Sequence, residues 1–391
     1  MFLWREKLKI RTLLIIYGSL KHGLSRSPKG VIIMKVALIS LMTLIMTYIL
    51  FWPSSIEPLA WVSPQNPGFS GNFSSNERLS ELKRINLPNG QGPEDVAIDD
   101  EQWVYGGLKD GRIIKTKGGV FKEFANTGGR PLGLHFHQGK LLVADSYRGL
   151  LRISSDGQIE TLSHEAEGIP FALTDDVDVG PDGSIYFTDA SYKFSVEDYQ
   201  SDSLEHRPNG RLLLYHPKTK TTNVLVRDLY FANGVAVAKD GSFVLVNETW
   251  KYRIMRYWIK GSKKGQLEVF KDQLPGFPDG ISRGEEGIFW LTLISPRNRL
   301  LDFLAPYPYL RKVIDRLPSF MKPDAARYGC VIGLDKNGKI TQNLQDSKAE
   351  KFAYISSVQQ YRQRLWLGSL KEKAIAYIDL KNPSVVGDHA K

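Results

Sequence analysis

Glu94, Asp175, Asn233 and Asp279 carry side-chain oxygens and open four copies of one short pattern. The copies read EDVAIDDEQWVYGGL from Glu94, DDVDVGPDGSIYFTD from Asp175, NGVAVAKDGSFVLVN from Asn233 and DGISRGEEGIFWLTL from Asp279. If the first positions converge on one point, three carboxylates and an amide repel one another unless a cation sits between them. Hard oxygen donors from separate segments suit calcium, which takes six to eight oxygens in loose geometry. The set holds no histidine or cysteine group for zinc. Calcium there would polarise an ester or lactone carbonyl, with Asp279 or Glu94 acting on a water molecule. Taken singly, each residue equally suits capping a strand end and bonding turn amides.

The elements that would bring these residues together follow from the repeat itself. Two further copies, LGLHFHQGKLLVAD from Leu132 and SSVQQYRQRLWLGSL from Ser356, raise the number to six. Each is a polar or small pair, an alternating strand, a turn and a second strand, and shorter strands such as RLLLYHP and YRIMRYWI lie between copies. Starts are separated by 38, 43, 58, 46 and 77 residues, so two repeats carry insertions. Several short strands per repeat, without the long helices of an α/β fold, predict an all-β, six-bladed β-propeller. The first strand of each blade would line the channel, which makes Glu94, Leu132, Asp175, Asn233, Asp279 and Ser356 a ring.

The formal charge of +10 is concentrated at the N-terminus, where residues 1–52 hold eight Lys/Arg against Glu6 alone. A basic tail rather than a basic domain sets nucleic-acid binding aside. The tail runs into Val36–Trp52, seventeen residues without a charge. This stretch predicts a signal-anchor with a cytoplasmic N-terminus and the propeller outside the cytoplasm, periplasmic or lumenal. A signal peptide cleaved near Ala60 is the alternative, and a start at Met34 would give a more ordinary signal-anchor. The expected organisation is a basic cytoplasmic tail over 1–35, the anchor over 36–52, a linker and first-strand region over 53–86, and the propeller over 87–391. Cys330 is the one cysteine, so no disulfide forms within the chain.

The stretches YFTDASYKF, LPGFPDGIS, GRPLGL and PNGRLLLYHPKTKTTNVLVRDLYFANGVAVAKDGSFVLVNETWKYRIMRYWIKG resemble the strictosidine synthase-like proteins. The adipocyte plasma membrane-associated type, a type II membrane-anchored branch, is the nearest by pattern. Gluconolactonases and paraoxonases share the wider superfamily of six-bladed propellers. The resemblance, which spans about Leu87 to Leu380, implies that the calcium ligands of hydrolytic relatives fall on Glu94, Asp175, Asn233 and Asp279. It places a second, structural calcium of paraoxonases near Asp95 and Asp176. The paraoxonase catalytic histidine falls on Leu132 and the strictosidine synthase glutamate near Ser356, so neither group is present. The expected activity is therefore calcium-dependent hydrolysis of a small apolar ester or lactone. A calcium-braced binding propeller and a strictosidine synthase-type synthase are the alternatives.

Three other stretches offer chemistry. Gly280–Gly284 matches the G-x-S-x-G nucleophile elbow but lies along a channel strand with no following helix. His135 and His137 alternate on one face, either as a metal pair or as ordinary sheet residues. In the insertion 294–328, YLRKVIDRL places Leu310, Val313, Ile314 and Leu317 on one helical face, away from Arg311. A lid over the channel, a helix on the membrane surface, and a helix docked for stability all fit that pattern. The earlier insertion, SYKFSVEDYQSDSLEHRPNG, reads as a polar loop at the channel rim.

Overall fold

The computed structural model describes residues 28–380, so the basic stretch 1–27 and the terminus beyond 380 lie outside the described residues. The described residues form two compact units, 28–55 with 312–322, and 56–311 with 323–380.

In the first unit an α-helix, α1, runs over Pro28–Phe51. It is longer than the expected anchor because Val31, Ile32 and Ile33 continue the apolar run and Lys35 is tolerated within it. Val31–Phe51 is apolar and long enough to cross a bilayer, 21 residues at about 1.5 Å each. The last carbonyls of a helix lack intrahelical donors. Here Arg316 supplies them, donating to the Ile49 and Leu50 carbonyls at 3.0 Å each.

The second unit contains six four-stranded antiparallel sheets. Their inner strands are Val96–Ile98, Pro131–His137, Thr174–Val179, Ala232–Val237, Gly276–Arg283 and Ile355–Tyr361. Each packs against the inner strand of the next blade, and the last packs against the first. The turn Pro181–Ser184 behaves as its sequence predicts. Gly183 takes φ +81°, which glycine adopts without strain, and Asp182 accepts from the Ser184 amide at 3.1 Å. The sixth sheet is completed by Lys83–Asn86, paired antiparallel with Ala374–Asp379. The propeller therefore begins ahead of residue 87, and buried Ile56, Phe73 and Leu79 belong to the same unit.

Both insertions are ordered. The first is not merely a loop, since Tyr199–Glu205 forms a helix, α2, with Asp202 and Glu205 fully buried. Its polarity is internal: Asp202 accepts from Ser191, Asn209 and Trp250, and Glu205 accepts from Lys193. The second insertion contains helices α3, Arg299–Leu304, and α4, Pro308–Asp315. Asn298 caps α3 by accepting from the Leu300 and Leu301 amides. Of the apolar face expected around α4, Leu310 is 40% exposed and Val313, Ile314 and Leu317 are half-buried, while Arg311, set away from that face, is buried. The Arg311 fork donates to the carbonyls of Leu59, Leu204 and Glu205, which an apolar side chain could not satisfy.

Candidate metal centre in the propeller channel

The first residue of each repeat reaches the channel because the backbone kinks there. Register shifts occur at Pro131/Gly133, Thr174/Val177, Ala232/Val235, Pro278/Ile281 and Ile355/Ser357, in five of the six inner strands. A bulge re-aims a side chain that would otherwise face along the pleat. The main chain at this level is then tied to the preceding blade. Thr188 donates to the Asn233 carbonyl, Asn247 to that of Asp279, Thr292 to that of Ser356, and Ser356 to that of Glu94. Asn247, one of the chain's two glycosylation sequons, is thus wholly buried, whereas Asn72 of the other is exposed.

The second repeat position sets the distance between blades. It is glycine at Gly133, Gly234 and Gly280, and a Cβ on Gly234 or Gly280 would lie 2.5 or 2.4 Å from a carbonyl oxygen of the next blade. It is aspartate at Asp95 and Asp176, and each reaches across to such a glycine-bearing strand. Asp95 accepts from the Val96 and Leu134 amides, and Asp176 from those of Val177 and Val235. Asp178 repeats the device, accepting from Val179 and Val237. Backbone amides engage both oxygens of Asp95 and Asp176, which accounts for these carboxylates without a second ion.

Glu94, Asp175, Asn233 and Asp279 do line one cavity, of about 60 Å³, together with Leu132 and Ser356. That volume holds a few waters or a hydrated ion. Burial raises the Asp175 carboxyl well above its ordinary range, and the charges of Glu94 and Asp279 raise it further. Asp279 is raised well above its range for the same reasons, burial and then Glu94, against a lowering hydrogen bond from Asn233. Burial also raises Glu94, opposed by Arg130.

Arg130 is the residue that the repeat did not disclose. It is buried, its Nη2 lies 3.2 Å from Glu94 Oε2, and its Nη1 has no partner. It precedes the repeat that begins at Leu132, so a search by repeat phase passes over it. Arg130 thus pairs with Glu94, while Asp175 and Asp279 are in no ion pair among the described residues. The donor chemistry fits calcium, with Asp175, Asn233 and Asp279 free of the Arg130 pair. Among the described residues, however, no three His, Cys, Asp or Glu side chains stand close enough together to hold an ion. The ring is therefore a set of suitable donors that has not drawn together, with Glu94 turned toward Arg130.

Below the ring, His135 Nδ1 lies 3.2 Å from Asp178 Oδ1, and both line the cavity with Arg283 and Gln359. His135 and Asp178 each occupy the fourth position of their repeats, a signal in the sequence that was not followed. Burial lowers the His135 imidazole, with Asp178 opposing the shift. His137 lies on the same side, ring centres 6.4 Å apart, and does not line the cavity. The G-x-S-x-G match is not a nucleophile elbow. Ser282 donates to the Val358 carbonyl, and a single 3₁₀ turn, Glu285–Gly287, follows instead of a helix. Above the ring, Leu132 and Phe231 form a buried apolar cluster with Leu173 and Ala190, flanked by Val196, Tyr199 and Trp250. No residue of the second insertion lines the cavity, so a lid role for 294–328 has no contact to support it.

Known proteins share both sequence and fold with this chain. The strictosidine synthase family model matches residues 175–262, and the N-terminal model of strictosidine synthase-like proteins matches 71–116. Strictosidine synthase-like protein 3 of Arabidopsis thaliana is 34% identical over 334 residues, 77% of this chain and 85% of that protein. The chain belongs to the strictosidine synthase-like family. The adipocyte plasma membrane-associated protein of Salmo salar is 33% identical over 84% of this chain and 85% of its own length. Among solved structures, a gluconolactonase from Xanthomonas campestris superposes with a TM-score of 0.57 at 16% identity, covering 85% of this chain and 99% of its own. The calcium-binding protein regucalcin from Agrobacterium tumefaciens does so at 0.52 and 14% identity, covering 75% of this chain and 94% of its own. At such identities these two likenesses establish the six-bladed propeller and nothing finer.

Proposed function

We propose that this family member is a calcium-dependent hydrolase of small apolar esters or lactones, with its centre at Glu94, Asp175, Asn233 and Asp279. The observation that carries the reading is the charge balance of the cavity, which six carboxylates line (Glu94, Asp95, Asp175, Asp176, Asp178 and Asp279) against Arg283, with Arg130 paired to Glu94 behind them. A buried carboxylate needs a partner, and a divalent ion would return Asp175 and Asp279 to their charged forms. The calcium binding printed for regucalcin and the lactonase name of the Xanthomonas protein are consistent with this chemistry in the same fold.

When bound, calcium would supply electrophilic polarisation of the substrate carbonyl. The protein's own groups divide the remaining tasks. Asn233 hydrogen-bonds Asp279 and orients that carboxylate. Asp279 is the better candidate for drawing a proton from water, because Glu94 is held by Arg130. Asp175 keeps the cavity negative, and Leu132 and Phe231 offer an apolar wall above the ring.

A non-catalytic role, with calcium as a brace, is the second reading. It is favoured by the cavity's small volume. Arylesterase and lactonase activity of the full chain in detergent, with and without chelator, separates the two. Activity that vanishes with chelator and returns with calcium supports the hydrolase. A calcium-dependent rise in melting temperature without turnover on either substrate class leaves the brace.

The same proposal extends to placement. Residues 36–52, within α1, would anchor the chain in a membrane, with the tail 1–35 cytoplasmic and the propeller on the extracytoplasmic side. The one helix long and apolar enough among the described residues and the membrane-associated relative support it. Protease protection of the propeller in sealed vesicles tests the orientation.

A further inference from the structure

The apolar residues on the surface of the propeller unit are not scattered evenly. Leu300 and Phe303 face outward from α3, and Phe303 meets Tyr307 with ring centres 5.6 Å apart. Leu310 faces outward from α4, which buries its arginine instead. The neighbouring strand-like segment adds Leu59 and Val62, the latter 88% exposed. That segment is fixed beside the helices: the Trp61 amide donates to the Ala305 carbonyl at 3.2 Å, and the Leu59 carbonyl accepts from Arg311. Arg297 holds its continuation, donating to the Pro64 and Gln65 carbonyls. The six residues thus form one fixed apolar face, built on buried arginines.

We propose that this face, Leu59, Val62, Leu300, Phe303, Tyr307 and Leu310, rests in the headgroup region of a lipid bilayer. Contiguous exposed apolar surface on a soluble unit marks an interaction site, and aromatic residues with leucines suit the boundary between water and acyl chains. The chain itself selects the partner. Only Trp52, Pro53, Ser54 and Ser55 separate α1 from buried Ile56. Leu59 is eight residues beyond Phe51 and Val62 eleven, which limits their reach from the helix end to about 28 and 38 Å of extended chain. The face therefore includes the first exposed large apolar residues of the propeller unit after the candidate span. A second copy of the chain would meet no such constraint. The inference rests on the reading of α1 as a membrane anchor.

The test uses the full chain in phosphatidylcholine vesicles, with an environment-sensitive fluorophore on one introduced cysteine at a time. Cys330 is fully buried and leaves little background. Leu41→Cys reports on the anchor, Phe303→Cys on the face, and Val120→Cys on an exposed site in the first blade. The expected result is a blue shift at Phe303→Cys with severalfold stronger quenching by shallow nitroxide lipids than at Val120→Cys. Deep nitroxide lipids should quench Leu41→Cys. Quenching at Leu41→Cys with a water-exposed label at Phe303→Cys overturns the docking face alone. Loss of quenching at both positions overturns the anchor and the docking that depends on it. A label at Phe303→Cys that is shielded but insensitive to lipid nitroxides also overturns the proposal, in favour of a second protein copy.

Discussion

The channel ring and the outer insertions bury comparable numbers of charged groups and treat them in opposite ways. In and beside the insertions each buried charge is individually satisfied: Asp189 meets Arg211, Glu205 meets Lys193, Arg297 meets Asp302, and Asp202 and Arg311 are held by neutral hydrogen-bond partners. In the ring Glu94 alone has an arginine, Arg130, and Asp175 and Asp279 are in no ion pair among the described residues. Matched burial is what a structure needs to fix its loops, whereas unmatched burial leaves a demand that a ligand can meet. The contrast separates scaffold from site without appeal to relatives.

Breaking a matched pair gives the largest effect. Arg211 donates to Asp189 through Nε at 3.1 Å, and neither side chain reaches water. Arg211→Met should destabilise the propeller by about 3–5 kcal/mol, since it strands Asp189; urea unfolding would measure this. An unchanged midpoint would mean that the pair contributes nothing. The ring should respond next, to ion rather than mutation. Calcium at about 100 times its Kd should stabilise the full chain by about 2.7 kcal/mol, seen as a melting shift that chelator reverses. No shift up to millimolar calcium would remove the metal from the ring.

A third measurement uses Asp202, which lies in the matched region but is held by neutral donors. Burial raises its carboxyl to about 6, against hydrogen bonds from Ser191, Asn209 and Trp250. The fold therefore favours its protonated form. Its contribution is fully present below about pH 4 and is lost as pH rises through about 6, at most roughly 2–3 kcal/mol. In Asp202→Asn the stability profile should be flatter than wild type between those values. Parallel profiles would show that Asp202 does not titrate there. The smallest expected effect has the opposite sign to the first. Asp279→Asn removes one member of the unmatched set, so calcium-free stability should rise by about 1 kcal/mol while calcium binding weakens, by calorimetry. A loss of calcium-free stability would show that the ring is already neutralised.

The same contrast explains what could be read from the sequence. Six blades were legible because every inner strand repeats one phase, and Glu94, Asp175, Asn233 and Asp279 shared it. Lys83–Asn86 falls in the first-strand region expected over 53–86, but its role in closing the sixth blade was not legible, because it has no copy of the pattern and pairs with Ala374–Asp379. Arg130 escaped for a similar reason, lying outside the repeated phase. Helix α2 was read as a loop, and the buried side of α4 was not picked out, because hydrophobic periodicity assumes that apolar residues point inward. There the interior is polar, and Asp202, Glu205 and Arg311 occupy it.

The closing strand has a consequence for the order of events during synthesis. Lys83–Asn86 emerges before any complete blade, yet its partner strand, Ala374–Asp379, emerges only after nearly 290 further residues. Until then five sheets can form while the first and last inner strands remain apart. Glu94 therefore waits at an open seam for Ser356 to reach its carbonyl. A ribosome stalled short of residue 374 would hold a propeller with every blade but one, an exposed strand edge, and a channel ring that cannot yet close.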